Sequence, residues 1–138
     1  MDAFRLLDHT ADIGIEARAT SIEGLFVQAA HGLRMVLFGD CPVQSRREEP
    51  IEVNGQDYEE LLVNWLNEIL YRFEIGRLAP ATFLVEELGE TRLRGRVLGE
   101  DFDPLRHPLL REVKAVTHHQ LAIVAVNGGW QTRIYLDL

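Results

Sequence analysis

From Asp12 to Ala19 polar and apolar residues alternate, with Ile13, Ile15, Ala17 and Ala19 on one side and Asp12, Gly14, Glu16 and Arg18 on the other. That is the period of a half-buried strand, and a short apolar run from Phe4 to His9 precedes it. The period then changes. Ile22, Leu25, Phe26, Ala29, Leu33, Val36 and Leu37 recur at helical spacing, Thr20 with Glu23 reads as a capping box, and Gly39-Asp40 ends a helix that runs to about Phe38. Pro50 to Val53 predicts a brief strand closed by Asn54-Gly55. A second helix opens at Asp57 with Glu60, carries Leu62, Trp65, Leu66, Ile69, Leu70 and Phe73, and stops at Gly76. Its apolar stripe is nearly continuous, so it is expected to be buried against a sheet and to expose little chemistry.

Beyond Thr82 the pattern predicts strands over Thr82–Leu88, Arg92–Leu98, Glu112–His119, Leu121–Val126 and Trp130–Leu138, the last two joined through Asn127-Gly128-Gly129. Two polar, proline-punctuated stretches, Cys41–Pro50 and Gly99–Leu110, read as loops. The sum is an α+β fold in one domain spanning residues 1–138, two amphipathic helices packed on mainly antiparallel β-sheet, with the N- and C-terminal strands adjacent.

Composition narrows the function classes. A chain of 138 residues buries about 70% or slightly less of its unfolded surface, enough for a core without staples. The balance of 14 Lys and Arg against 22 Asp and Glu leaves a net charge of −8, which argues against direct sequence-specific nucleic-acid binding and favours a cation or a basic partner. Cys41 stands alone, so there is no internal disulfide or thiolate cage. No basic-then-apolar leader and no membrane-length apolar run are present in the sequence, so a cytoplasmic location is expected.

The chemistry concentrates at the two ends. In the last strand Arg133, Tyr135 and Asp137 share the face opposite to Trp130, Ile134, Leu136 and Leu138, so Asp137 points away from the core, as Asp12 does. If the ends are neighbours, two aspartates and the carboxylate of Leu138 converge. Crowded carboxylates raise one another's pKa unless a cation neutralises them, and oxygen-only donors suit a hard divalent ion such as Ca²⁺ or Mg²⁺. Solvated strand ends are the alternative reading.

Other candidates carry weaker signals. Lys114, between Val113 and Ala115, could reach a nucleotide phosphate or a partner's acidic group, or could lie along a half-buried sheet. His9, between two acids, could act as a base or relay, or brace a turn. His118 and His119 face opposite sides of a strand and cannot share one ion, and at least one is expected to pack. Arg92, Arg94 and Arg96 form a basic stripe, which reads best as a solvated face paired across the hairpin with Glu86. No Gly-rich phosphate loop and no Ser-His-Asp or Cys-His pairing is evident.

Three motifs in order, Asp8-His9-Thr10-Ala11-Asp12-Ile13, Val113-Lys114-Ala115-Val116-Thr117-His118-His119 and the closing Leu136-Asp137-Leu138, make the chain resemble archease along its whole length. Archease is the small protein cofactor of the GTP-dependent RNA-splicing ligase. One departure is His118, where the family commonly has Tyr. The resemblance implies a metal site built from Asp12, Asp137 and an oxygen of Leu138. It implies a divalent cation, Ca²⁺ foremost with Mg²⁺ or Mn²⁺ as alternatives, and a non-catalytic role in promoting guanylylation and multiple turnover of the ligase. It also places Lys114, with His9 and His119, among candidate contacts to partner or nucleotide. Two other function classes stand beside it. One is a free-standing metal-dependent phosphohydrolase or nucleotide-binding enzyme, with Asp12 and Asp137 as ligands and His9 as general base. The other is a chaperone-like module using apolar surface near the Cys41 loop.

Overall fold

Local chemistry starts and stops each element. The structure is a computed structural model describing residues 2–8 and 12–138, with the side chain of Asp8 left out. Its elements are β1 (Ala3–Asp8), β2 (Asp12–Ala19), α1 (Ile22–Phe38), β3 (Arg47–Asn54), α2 (Tyr58–Glu74), β4 (Leu78–Leu88), β5 (Arg92–Asp101), β6 (Ala115–Val126) and β7 (Gly129–Asp137). Ser21, not Thr20, caps α1: its backbone is extended and its hydroxyl accepts the Gly24 N–H at 3.0 Å. Thr20 instead donates its own N–H to Asp2. Asp57 caps α2 as expected, accepting the Glu60 N–H at 2.8 Å.

The strands form a four-stranded sheet in the order β1-β2-β7-β6 and a three-stranded sheet in the order β3-β5-β4, all pairs antiparallel. Each helix touches both sheets, α1 through β2 and β4 and α2 through β6 and β3, so the helix pair fills the space between them. This explains why the α2 stripe is almost continuous: Leu61, Leu62, Trp65, Leu66 and Ile69 meet apolar neighbours on more than one side. Trp65 keeps its indole satisfied inside the core by donating to the Phe26 carbonyl at 3.1 Å. A Cβ on Gly32 would stand 2.5 Å from Ile15 Cγ2, so glycine there lets α1 lie close on β2.

Several boundaries differ from the sequence expectation, among them the start of β4, at Leu78 instead of Thr82. β3 begins at Arg47, inside the expected loop, because it lies on the sheet edge where Pro50 needs no N–H partner. β5 continues to Asp101, since Gly99 and Glu100 still pair with β4. The segments 112–119 and 121–126 are not two strands: β6 runs from Ala115 to Val126, with residues 118–121 bulging opposite Ile134 and Gln120 at φ 54°. The free side of β6 is covered by α2, where Asn67 both accepts the Val116 N–H (2.9 Å) and donates to the Val116 carbonyl (3.2 Å).

Candidate functional site

The two ends of the chain meet in the four-stranded sheet. β2 lies directly against β7, and β1 flanks β2 on the other side. The β2–β7 register sets Asp12 opposite Asp137, Gly14 opposite Tyr135, Glu16 opposite Arg133 and Arg18 opposite Gln131. Opposed residues in an antiparallel pair share a face. Ile13, Ile15, Ile134 and Leu136 face the core, so these four polar rows form the outer face.

Asp137 is exposed and Asp12 partly buried. Leu138, the residue beyond β7, packs against the core, which fixes where its backbone oxygens lie. Lys114 is tied to the same spot: its N–H donates to the Asp137 carbonyl at 2.8 Å, and Ala115 is the β6 partner of Asp137. His119 stands on the same outer side, its exposed ring edge-on to Tyr135 with centroids 6.3 Å apart. His118 is exposed. His9 lies outside the described residues. Among the described residues no three His, Cys, Asp or Glu side chains come together as a metal cluster, so a cation here would draw on two carboxylates and main-chain or terminal oxygens. An all-oxygen set of two acids on opposed strands fits a hard divalent ion and suits neither zinc nor copper.

Sequence reasoning missed what surrounds the pair. A Cβ on Gly14 would come within 3.0 Å of the Tyr135 ring and 3.1 Å of Leu7, so glycine lets that ring lie across β2 and become 8% exposed although it faces outward. An isolated glycine inside a strand signals such an approach. One row further, Glu16 is 3% exposed and is bonded by Arg5 at 3.0 Å and Arg133 at 3.1 Å, with Arg18 at 3.7 Å. The Arg5 hydrogen bond leads in holding the Glu16 carboxyl below the usual carboxylate range, with Arg133 adding to it and burial opposing both.

A second compensated acid sits at the far end of β5. Glu100 accepts from the Gln44 N–H (2.8 Å), Arg106 Nη1 (2.8 Å) and Nη2 (3.2 Å), and pairs with His107 Nε2 (3.1 Å). The backbone N–H of Asp103 donates to His107 Nδ1, so the imidazole proton is on Nε2 and points at Glu100. The Gln44 bond foremost, with His107 and Arg106, pulls the Glu100 pKa to about 2. This cluster ties both long loops to β5. The basic stripe is likewise satisfied: Arg92 pairs with Glu52, Arg94 with Glu87, and Arg96 with Glu48 and Glu86.

The Archease protein family (MTH1598/TM1083) matches residues 4–138. The chain belongs to the archease family. It is 38% identical to the archease of Methanopyrus kandleri over 96% of each chain, and 34% identical to that of Sulfolobus acidocaldarius over the full length of both. The solution structure of protein 1598 of Methanobacterium thermoautotrophicum superposes with a TM-score of 0.85 at 30% identity, covering 99% of each chain. A Thermotoga maritima structure, described as an archease and possible chaperone, shares the fold with a TM-score of 0.62 at 20% identity.

Proposed function

We propose that this archease is a non-catalytic protein cofactor of the GTP-dependent RNA-splicing ligase, promoting its guanylylation and multiple turnover from a cytoplasmic location. In this reading a divalent cation, Ca²⁺ foremost with Mg²⁺ or Mn²⁺ as alternatives, is held by Asp12, Asp137 and an oxygen of Leu138. The observation that carries it is the β2–β7 register, which opposes two carboxylates on an outward-facing row beside the anchored last residue. Family membership supports a role of the archease kind. No described helix is long and apolar enough to cross a membrane.

Bound there, the cation supplies positive charge where two acids would otherwise repel. Asp12 and Asp137 bind and orient it, and the packing of Leu138 keeps the third oxygen in place. Lys114, whose backbone is joined to Asp137, is exposed at the same strand end, and the exposed His119 packs edge-on against the largely buried Tyr135. Lys114 and His119 are the proposed contacts to the ligase or its nucleotide, with His9 completing the set outside the described residues.

The test measures formation of the ligase's covalent guanylate and its RNA-joining turnover with and without this chain, over a range of metal concentrations. Stimulation by the parent chain, lost in Asp137→Ala and Lys114→Ala variants that keep their melting temperature, is the expected outcome. Adduct formation at one rate with and without the chain would overturn the cofactor reading. Nucleotide hydrolysis by the purified chain alone would instead favour an enzyme.

A further inference from the structure

The outer face of the four-stranded sheet changes sign along its length. Past the Asp12 and Gly14 rows, the charged side chains that the register sets on it are Arg5 of β1, Glu16 and Arg18 of β2, and Arg133 of β7. All three arginines converge on Glu16, yet their side chains are 65%, 54% and 53% exposed against 4% for the glutamate. Three cations share one buried acid, so this end of the face is positive toward solvent on a chain whose net charge is −8. The aspartate pair lies four residues from Glu16 along β2. That is about 13 Å at about 3.3 Å per residue, beyond the screening length of about 8 Å at physiological salt. Asp2 does not offset the patch, because its carboxylate accepts the Thr20 N–H at 3.0 Å and is turned toward Gly24 of α1.

The patch borders an open sheet edge. The two sheets end in β1, β6, β3 and β4, and the last three are blunted. β6 is held by α2, through Asn67 on Val116 and Glu59 on the Ile123 N–H. β4 carries Pro80 and two register shifts, and β3 carries Pro50. β1 has neither proline nor bulge, and its register with β2 is unbroken from Ala3 to Asp8. Among the described residues nothing outside β2 bonds the main chain of residues 3–7. Such an edge presents a row of N–H and C=O groups to any strand that can pair with it.

A dent of about 250 Å³ opens at this edge, lined by Ala3, Phe4 and Arg5 of β1 with Glu16 and Arg18 of β2. Ala3 stands opposite Arg18, and its small side chain leaves the space. The alternate row of β1 is apolar. Phe4 and Leu6 stand opposite Ala17 and Ile15 of the core, and Leu6 remains exposed.

Resting on the reading that this archease acts by binding a partner protein, we propose that β1 receives an extended acidic segment of that partner as a fifth strand of the sheet. Acidic side chains on the outer row of that segment meet Arg5 and Arg18 at the dent, and apolar side chains on its alternate row cover Phe4 and Leu6. Main-chain hydrogen bonds to the edge supply affinity, and the alternating side chains supply specificity. A second copy of this chain adding through β1 would bring its own Arg5 and Arg18 to the same face, so the charge that attracts an acidic strand disfavours self-pairing. Three arginines and one glutamate leave a local excess of two positive charges. That matches a pair of carboxylates and falls short of what a nucleic-acid strand needs, since its affinity grows with each phosphate neutralised.

The test measures binding of the purified GTP-dependent RNA-splicing ligase to the full chain, amide hydrogen exchange of residues 3–7 in the free and the bound chain, and stimulation of guanylylation. Affinity and melting temperature are repeated for Arg18→Glu and Arg18→Lys, since Arg18, at 3.7 Å, is the loosest of the three partners of Glu16. The expected result is at least tenfold slower exchange of the outward β1 amides in the complex, and at least tenfold weaker association for Arg18→Glu at an unchanged melting temperature. Arg18→Lys should bind as the parent does. Amides of β1 that exchange alike in the free and the bound chain overturn the added strand whatever the variants do, and stimulation by that complex leaves the cofactor role standing. Parent-like affinity of Arg18→Glu overturns the added strand as well. Binding with protection of β1 but without stimulation overturns the cofactor role and supports the added strand. Absence of binding by the parent overturns both. Arg18-dependent binding of an oligoribonucleotide, or Arg18-dependent self-association, also overturns the proposal.

Discussion

Two rows on one sheet face carry carboxylates and treat them in opposite ways. At the Glu16 row the cross-strand partner is Arg133, Arg5 approaches from β1, and Arg18 adds a third cation, so a nearly inaccessible acid is fully compensated. At the Asp12 row, four residues away on β2, the cross-strand partner is another aspartate. Like charges opposed across a strand pair destabilise it by about 0.2–1 kcal/mol. The same strands that place a cation opposite Glu16 place an acid opposite Asp12, and the difference teaches that one strand pair can compensate an acid at one row and oppose two acids at another.

The comparison predicts a graded series. Compensated acids should be the costly ones to neutralise, and Glu100, with four donors converging on it, should be the costliest. Its folded pKa of about 2 lies below the ordinary value of 4.5. The stability it contributes is therefore fully present above pH 4.5 and lost as pH falls toward 2. Glu100→Gln should unfold at clearly lower temperature at pH 7, and its gap from the parent should close across that acidic window, as followed by circular dichroism. A gap that stays constant down to pH 2 would mean that the carboxylate's charge contributes nothing.

Glu16→Gln should cost about 1–2 kcal/mol, since charged hydrogen bonds are lost but Arg5 and Arg133 are more than half exposed and screened by water. That corresponds to roughly 3–7 °C in melting temperature. Asp137→Asn should move the other way: with no divalent ion present, relief of the like-charge pair should raise stability by about 0.2–1 kcal/mol, measurable by urea titration. A loss instead of a gain would place Asp137 among the compensated acids. The smallest effect is expected at the exposed Arg92–Glu52 pair, where Arg92→Ala should change stability by no more than about 0.5 kcal/mol.

Much of the site was legible because strand alternation is a strict period. Alternation puts Asp12 and Asp137 on outward faces, adjacency of the chain ends is enough to oppose them, and the two helices follow from their apolar stripes. What escaped depends on information the period does not carry. Thr20 and Ser21 are both capping residues, and only the backbone turn at Ser21 decides between them. The clamp on Glu16 needs the order β1-β2-β7, which no local pattern states. His107 stands in a polar loop between prolines, and no local pattern announces that it and Gln44 both bond Glu100. β6 reads as two strands in the sequence because its bulge at residues 118–121 breaks the alternation.

The measurement closest to the central claim is a Ca²⁺ titration of melting temperature for the parent chain, Asp12→Asn and Asp137→Asn, in chelator-treated buffer. A ligand that binds only the native state stabilises it by about 2.7 kcal/mol at a hundred times its dissociation constant, so the parent should rise by several degrees. Asp137→Asn should begin above the ion-free parent and stay flat through the titration, with Asp12→Asn equally unresponsive. Variants that climb with Ca²⁺ as steeply as the parent would contradict the account, showing that the opposed aspartates are not where the cation is held.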